Sequence, residues 1–282
     1  MRIFSFWVQV LPVISGVVWL GMLLSMLLYW IIHTDRQRYS SMADRQSIAY
    51  ISDVGASTLK PLFIAGCAVT VVFLDLSFLA DLWLRHRGRL VPNMSTGEKV
   101  LKALTIVFAL VGTVGLICLA VFDTARHPSL HRVFLGLFIV GYLLSAVFIC
   151  WEYQRLGIKY REHRVLRVSF WVKLAFILVE AAIAIAFAVT MRSGNPDVAA
   201  VLEWVVAFVF SFYVFSFAID LWPAVRTKHH ARRFQKPAGS GSGSTSPRAA
   251  DDDDSNLEMA GAPVADAQQY PRYMAQGPSS NF

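Results

Sequence analysis

The chain has 282 residues, of which 56% are hydrophobic and 16% are charged. A soluble domain averages about 45–50% apolar and about 25% charged residues, so this composition excludes an ordinary soluble globular protein. The formal net charge of +7 is also typical of nucleic-acid-binding proteins. Here, however, the basic residues lie beside the ends of long apolar runs, which argues against a nucleic-acid partner.

Six apolar runs follow one another along the chain, and each is long enough to cross a hydrocarbon core of about 30 Å. The predicted spans are Trp7–Ile32, Pro61–Leu84, Val100–Phe122, Val133–Trp151, Val168–Met191 and Ala199–Trp222, and Pro223 is predicted to end the last helix. The fold class predicted is therefore all-α: a polytopic membrane protein whose residues 1–225 form a bundle of six transmembrane helices.

Basic residues are concentrated in alternate connections. They lie between spans two and three (Arg85, Arg87, Arg89, Lys99, Lys102), between spans four and five (Arg155, Lys159, Arg161, Arg164, Arg167) and after the last span (Arg226, Lys228, Arg232, Arg233, Lys236). Lys and Arg mark the cytosolic side of a membrane protein. This pattern predicts that both termini are cytosolic and that the other three connections are external.

Residues 226–282 differ in composition from the rest of the chain. The basic strip is followed by a Gly/Ser run at 239–244 and an acidic run at 251–254. Such a segment has too little apolar surface to fold, so a disordered cytosolic tail is predicted. The strip has two interpretations. It is either a topology signal or a contact with anionic lipid, worth about 1 kcal/mol per basic residue near the membrane surface.

Four acidic residues interrupt the apolar runs: Asp75, Asp81, Glu180 and Asp220. An ionised Asp near a helix centre costs about 2.5–3.5 kcal/mol on insertion. Each acid therefore either forms a proton, ion or headgroup site, or is hydrogen-bonded or ion-paired across helices. A transporter would also show helices broken at mid-membrane depth, and Gly112 and Gly115 are the candidate breaks.

The connection after span three contains Asp123, His127 and His131. Imidazole and carboxylate groups suit zinc or acid–base chemistry, but Pro128 disturbs the helical spacing of the two histidines. In the alternative interpretation Asp123 caps a helix and the imidazoles meet lipid phosphates. No metal and no cofactor are predicted.

Three more residues fall on the predicted external side. Asp53 precedes span two, and Glu203 and Trp204 open span six. Trp204 lies near the end of its span, where an interfacial aromatic anchor is expected. Together with the Asp123 turn, these positions predict that three external connections converge on one polar pocket.

These motifs resemble the Frag/DRAM/Sfk family of six-helix membrane proteins. The resemblance covers residues 1–225 and is carried by the segment Tyr50–Ala56 with Pro61, by Asp123, His127 and His131 followed by Gly136 and Tyr142, and by Glu203 with Trp204. The long tail is similar to that of the fungal Sfk branch.

The resemblance implies a non-enzymatic plasma-membrane regulator of phospholipid organisation. Its partners would be phospholipids, including phosphoinositides, and a phosphatidylinositol 4-kinase complex in the cytosol, and it would limit transbilayer lipid movement. Related proteins reside in the Golgi, endoplasmic reticulum and vacuole or lysosome, which are the alternative locations.

Two other functions stay open. One is a lipid hydrolase or acyltransferase of the GPI-remodelling kind that uses Asp123, His127, His131 and Glu203. The other is a proton- or ion-coupled transporter built around Glu180.

Overall fold

The structure is a computed structural model that describes the backbone of residues 2–87, 90, 95–159 and 164–226, and the side chains of residues 8–87, 90, 95–159 and 166–221. The predicted tail lies outside these residues. Of the predicted anionic-lipid strip, Arg226 is described only as the last helical residue, and Lys228, Arg232, Arg233 and Lys236 lie outside the described residues.

Seven helices and no strand make up the described part of the chain. They are α1 (Arg2–Leu28, continued by a π-helical turn Tyr29–His33), α2 (Ile51–Gly55), α3 (Lys60–His86), α4 (Thr96–Val121), α5 (Pro128–Lys159), α6 (Arg164–Arg192) and α7 (Pro196–Arg226). All except the short α2 are long and apolar enough to cross a membrane. The predicted all-α fold with six spans is confirmed.

Several helices extend beyond the predicted spans, and two of these differences overturn a specific expectation. α5 begins at Pro128 rather than near Val133, so His131 and Arg132 lie in a helix instead of a turn. Proline suits the first turn of a helix, because the N–H that it lacks has no partner there. α7 continues past Pro223 to Arg226, so the prediction that Pro223 ends the helix is wrong. A single proline removes only one backbone hydrogen bond, and transmembrane helices tolerate that loss.

The six long helices form a ring in chain order. Each packs against its neighbours in sequence, and the ring closes where α1 packs against α7. The short α2 contacts α1, α3 and α7. We call the end of the bundle that carries α2 the α2 end, and the opposite end the basic end.

The closest helix contact joins α4 to α5 through glycines. A Cβ atom placed on Gly141 would lie 2.5 Å from the backbone nitrogen of Gly112, and one placed on Gly115 would lie 2.5 Å from the backbone nitrogen of Phe138. Small residues let two backbones approach in this way. α4 runs unbroken through Gly112 and Gly115, so neither of these candidate positions is a break of the kind that a transporter would show.

Candidate functional site

Asp53 organises the loop that precedes α3. Its Oδ1 accepts a hydrogen bond from the Ser41 hydroxyl (2.6 Å), and its Oδ2 accepts from the Gln46 amide (2.9 Å) and the Tyr50 backbone N–H (3.0 Å). The side chain is buried. Because both oxygens are engaged, this carboxyl group fixes the loop over residues 41–53.

Glu203 and Trp204 attach α7 to the same loop. Oε2 of Glu203 accepts from the backbone N–H of Ile51 (2.7 Å), and Nε1 of Trp204 donates to the carbonyl of Ala49 (2.9 Å). Trp204 is only 6% exposed. Trp204 is therefore not exposed at the membrane interface, as an interfacial anchor would be, because its ring is buried and its indole N–H is donated to the loop.

Tyr50 remains a neutral hydroxyl in this environment. Burial, followed by the nearby carboxyl groups of Glu203, Asp53 and Asp197, raises the pKa of Tyr50 to about 12. A phenol with that pKa keeps its proton at neutral pH and can both donate and accept a hydrogen bond.

Asp123 ties the turn after α4 to the start of α3. Its Oδ2 lies 2.5 Å from Nζ of Lys60, and its Oδ1 accepts from the backbone N–H of Arg126 (2.7 Å). Burial by itself would raise the pKa of this carboxyl, but the bonds from Lys60 and Arg126 outweigh it and lower the pKa. Asp123 is thus a fixed carboxylate with a local structural partner.

The two histidines of this segment have different environments. His127 is exposed, and its ring packs edge-on against Phe122. His131 lies one turn into α5 and is 4% exposed, and its Nδ1 is 3.1 Å from the carbonyl oxygen of Leu119 and 3.0 Å from that of Phe122. Although they are four residues apart, the two rings do not face a common ligand.

A polar cavity of about 670 Å³ opens at the α2 end. Residues from the loop before α3, from the turn before α5 and from the turn between α6 and α7 line it, so three connections meet there. Of the predicted site residues, Asp53, His131 and Glu203 line this cavity, whereas Asp123, His127 and Trp204 do not. The part of the chain that the structure describes holds no group of three or more His, Cys, Asp or Glu side chains placed to bind a metal.

A second, apolar cavity of about 100 Å³ lies inside the bundle. It shares Leu135, Phe187 and Glu203 with the polar cavity, so the two spaces adjoin at these three side chains. Glu180 lines the apolar cavity, and its Oε1 is buried with no hydrogen-bond partner among the described residues. Asp75 lines neither cavity and accepts a hydrogen bond from Thr113 (2.7 Å).

The basic end contains a buried ion network that extends over α3, α4 and α5. Asp81 is bonded to Arg85 (2.9 Å) and to Lys102, and Glu152 lies 3.7 Å from Arg85 and 3.8 Å from Lys102. All four side chains are nearly inaccessible to solvent. Arg85 and Lys102, predicted as residues of a cytosolic loop, are therefore interior residues, because the helices carrying them extend beyond the apolar runs.

Lys173 and Asp220 form a second ion pair between α6 and α7, with 2.6 Å between Nζ and Oδ2. Ser169 also donates to Asp220, and Nζ of Lys173 lies 3.9 Å from the ring centre of Phe217. The ring of Tyr153 lies between the two groups, 5.2 Å from the Arg85 guanidinium and 5.5 Å from Nζ of Lys173.

Sequence reasoning missed Glu152 and Lys173. Lys173 carried a usable signal, because a lysine inside a predicted span requires a partner, and Asp220 was the acid available near the end of another span. Asp81 and Arg85 carried a second signal through their helical i, i+4 spacing.

Comparison with known proteins identifies the family of this chain. The family model described as the Frag1/DRAM/Sfk1/Cwh43P N-terminal domain matches residues 7–224. "Protein sfk1" of Schizosaccharomyces pombe is 31% identical over 227 residues, or 79% of this chain and 66% of that protein. "Protein SFK1" of Saccharomyces cerevisiae is 28% identical over 181 residues, or 55% of this chain and 51% of that protein. No solved structure gives a significant match.

The matched regions thus span just under two thirds and about half of these two relatives. The family model, in contrast, covers all six spans. It also covers the three connections that line the polar cavity. The chain belongs to the Frag1/DRAM/Sfk1/Cwh43 family, in its fungal Sfk-like branch.

Proposed function

We propose that this protein is an integral membrane regulator of phospholipid organisation, and that its bundle holds a phospholipid at the α2 end. The observation that carries the proposal is the pair of adjoining cavities, one polar and one apolar, that share Leu135, Phe187 and Glu203. A phospholipid has the same two parts in the same order.

The sizes and linings suit this ligand. Small-molecule sites generally measure about 300–1,000 Å³ and contain a few polar groups that fix the orientation of the ligand. The polar cavity has a volume of about 670 Å³. Arg45 and Arg132 line it and are exposed, which places guanidinium groups where a phosphate enters from the membrane surface. The apolar cavity then receives the first carbons of an acyl chain.

The proposal includes a location and an orientation. The protein acts in the plasma membrane with both termini in the cytosol, limits transbilayer lipid movement and supports a phosphatidylinositol 4-kinase complex. The basic strip Arg226, Lys228, Arg232, Arg233 and Lys236 contacts anionic lipid, including phosphoinositides, on the cytosolic side. Family membership and the distribution of basic residues support this part.

Surface exposure of aminophospholipids in cells that lack the protein tests the proposal. Exposure should rise on deletion and return to normal with the wild-type protein. His131→Ala, which changes the wall of the polar cavity, should fail to restore it, whereas His127→Ala, at an exposed position outside the cavity, should restore it fully.

Full rescue by His131→Ala would remove the polar cavity from the mechanism. Unchanged exposure on deletion would contradict the lipid-asymmetry function and favour a role in GPI-anchor remodelling.

One observation favours a second candidate, a lipid hydrolase or acyltransferase. Nε2 of His131 has no hydrogen-bond partner among the described residues, and His131 lines the polar cavity, where a general base would be needed. Turnover of a defined lipid by the purified protein, abolished by His131→Ala, would establish the enzyme. Absence of turnover together with specific lipid binding would leave the regulator.

A further inference from the structure

His131 lies in the wall of the polar cavity and has one ring nitrogen, Nε2, without a partner among the described residues. Its Nδ1 faces two carbonyl oxygens, those of Leu119 (3.1 Å) and Phe122 (3.0 Å). Carbonyl oxygens only accept hydrogen bonds, so Nδ1 must carry the proton of the neutral ring. Nε2 then holds a lone pair. This nitrogen is buried, it has no partner among the described residues, and the side chain that carries it is 96% buried (4% exposed) on the cavity wall.

An acceptor in this position requires a donor from the ligand. A buried polar atom without a partner carries a free-energy cost that a ligand donor removes. The carboxyl group of Asp53 cannot supply that donor, and its two oxygens already accept three hydrogen bonds. Glu203, the other predicted acid on this wall, is already bonded through Oε2 to the backbone N–H of Ile51.

Hydrogen-bond donors lie at the mouth of the polar cavity. Arg45 and Arg132 are exposed lining residues that carry only donors. The exposed Asp44 also lines the cavity, so the mouth carries both signs of charge, and a headgroup whose phosphate meets the guanidinium groups can place its other end against His131. The cavity is complementary to a phosphate followed by a hydrogen-bond donor.

We propose that the polar cavity selects phospholipid headgroups that carry an N–H or O–H donor, and that Nε2 of His131 is the acceptor that makes the selection. This rests on the proposed function, in which a phospholipid occupies the cavity. An ethanolamine headgroup donates to His131 through its ammonium group. A choline headgroup has the same phosphate and charge but three methyl groups in place of the N–H donors, so it leaves His131 unpaired.

Binding to the purified full-length chain in detergent micelles tests the selection. The probes are short-chain phosphatidylethanolamine and phosphatidylcholine with identical acyl chains, and the readout is the dissociation constant from tryptophan fluorescence. The wild-type protein should bind the ethanolamine lipid about tenfold more tightly, because one buried hydrogen bond to a charged donor separates the two ligands.

A third probe, phosphatidylglycerol with the same chains, identifies the source of the donor. Binding as tight as that of the ethanolamine lipid would show that any N–H or O–H donor is accepted. Binding as weak as that of the choline lipid would overturn the O–H part of the proposal and restrict the requirement to an N–H donor.

Two variants separate recognition from folding. His131→Asn keeps a donor near the position of Nδ1, facing Leu119 and Phe122, but has no group at the position of Nε2. It should bind both lipids equally. His131→Gln places an amide near the position of Nε2 and should recover part of the preference. His127→Ala is the matched control and should keep the tenfold ratio.

If His131 had a purely structural role, its variants would bind both lipids more weakly, and the ratio of the two dissociation constants would stay unchanged. That result would overturn the proposal. Equal binding of the ethanolamine and choline lipids by the wild-type protein would also overturn it, while leaving the proposed function intact. Absence of binding of every probe would instead contradict the proposed function itself.

Discussion

At the scale of single residues, the acidic side chains at the α2 end have different roles because their partners differ. Asp53 has both oxygens engaged by the loop that it organises, and Asp123 is held by Lys60 and by a backbone amide. Glu203 is bonded to α2 and also lines both cavities. Asp53 and Glu203 both line the polar cavity, but only Glu203 also lines the apolar one.

Asp123 makes stability sensitive to acid. Its pKa is lowered in the folded protein, whereas an unfolded Asp has a pKa of about 3.9. The resulting stabilisation is fully present above that value and is lost as the pH falls through the lower, folded pKa. Asp123→Asn should therefore cost about 1–3 kcal/mol at neutral pH, the usual cost of a lost hydrogen bond to a charged group, and should flatten the acid limb of the stability profile.

Thermal unfolding of the purified protein, measured from neutral pH down to about pH 3, tests this effect. This pH range extends to both sides of the pKa of an unfolded Asp. Asp44→Asn, at an exposed position in the neighbouring loop, is the control and should follow the wild-type profile. An Asp123→Asn profile parallel to that of the wild type would show that the Lys60 ion pair does not govern acid sensitivity.

At the scale of helices, the contact between α4 and α5 sets the geometry of the apolar cavity. Tyr142 and Phe138, which line that cavity, lie against Gly112 and Gly115. Tyr142 is also hydrogen-bonded to Thr113 (2.8 Å), which in turn bonds Asp75. A shift of α5 away from α4 would therefore move two aromatic walls of the cavity.

Gly141→Ala tests this contact. The added methyl would lie 2.5 Å from the Gly112 nitrogen, which is backbone and cannot rotate away. We expect a loss of about 1–3 kcal/mol of stability, as for other overpacked interiors, and weaker lipid binding, measured by thermal unfolding and by the fluorescence titration. Gly136→Ala on the same helix meets no atom within 4 Å and should leave both quantities unchanged.

At the scale of the whole molecule, the basic end is held together by buried charges that cancel. Asp81, Glu152 and Asp220 are matched by Arg85, Lys102 and Lys173, and these six residues belong to five of the six spans. A buried ion pair adds little net stability, but removal of one partner leaves an uncompensated charge. The network therefore favours the one arrangement of helices in which every charge is matched.

Lys173→Met should destabilise the protein by about 3–5 kcal/mol, because it leaves Asp220 without its cation. The double variant Lys173→Met/Asp220→Asn keeps an acceptor for Ser169 and removes both charges, so it should recover most of the loss. Thermal unfolding of the two variants decides the matter. If the double variant were as unstable as the single one, the packing of the lysine chain rather than its charge would be important.

The orientation in the membrane is a prediction that labelling can check. Ser193→Cys, at an exposed position in the turn between α6 and α7, should react with a membrane-impermeant maleimide in intact cells. Ser240→Cys, in the tail, should react only after permeabilisation. Cys67 and Cys150 are buried, and Cys118, which is half-buried, is replaced by Ala in the background of both variants. The reverse labelling pattern would invert the predicted topology.

The sequence by itself determined the number of spans, their approximate limits and the family. Hydropathy is a local property of each run, and the thickness of the bilayer fixes how long a run must be. The three segments that carry the resemblance to the family are likewise short, so they can be recognised without a fold.

Only the tertiary structure decided which polar residues meet. The rotation of a helix about its axis depends on its neighbours, and no local pattern records it. For this reason His127 and His131 look equivalent in the sequence, although one is exposed and the other forms the cavity wall. For the same reason Lys102, which reads as a loop cation, and Lys173 are among the most deeply buried side chains of the described bundle, each held against an acid from another helix.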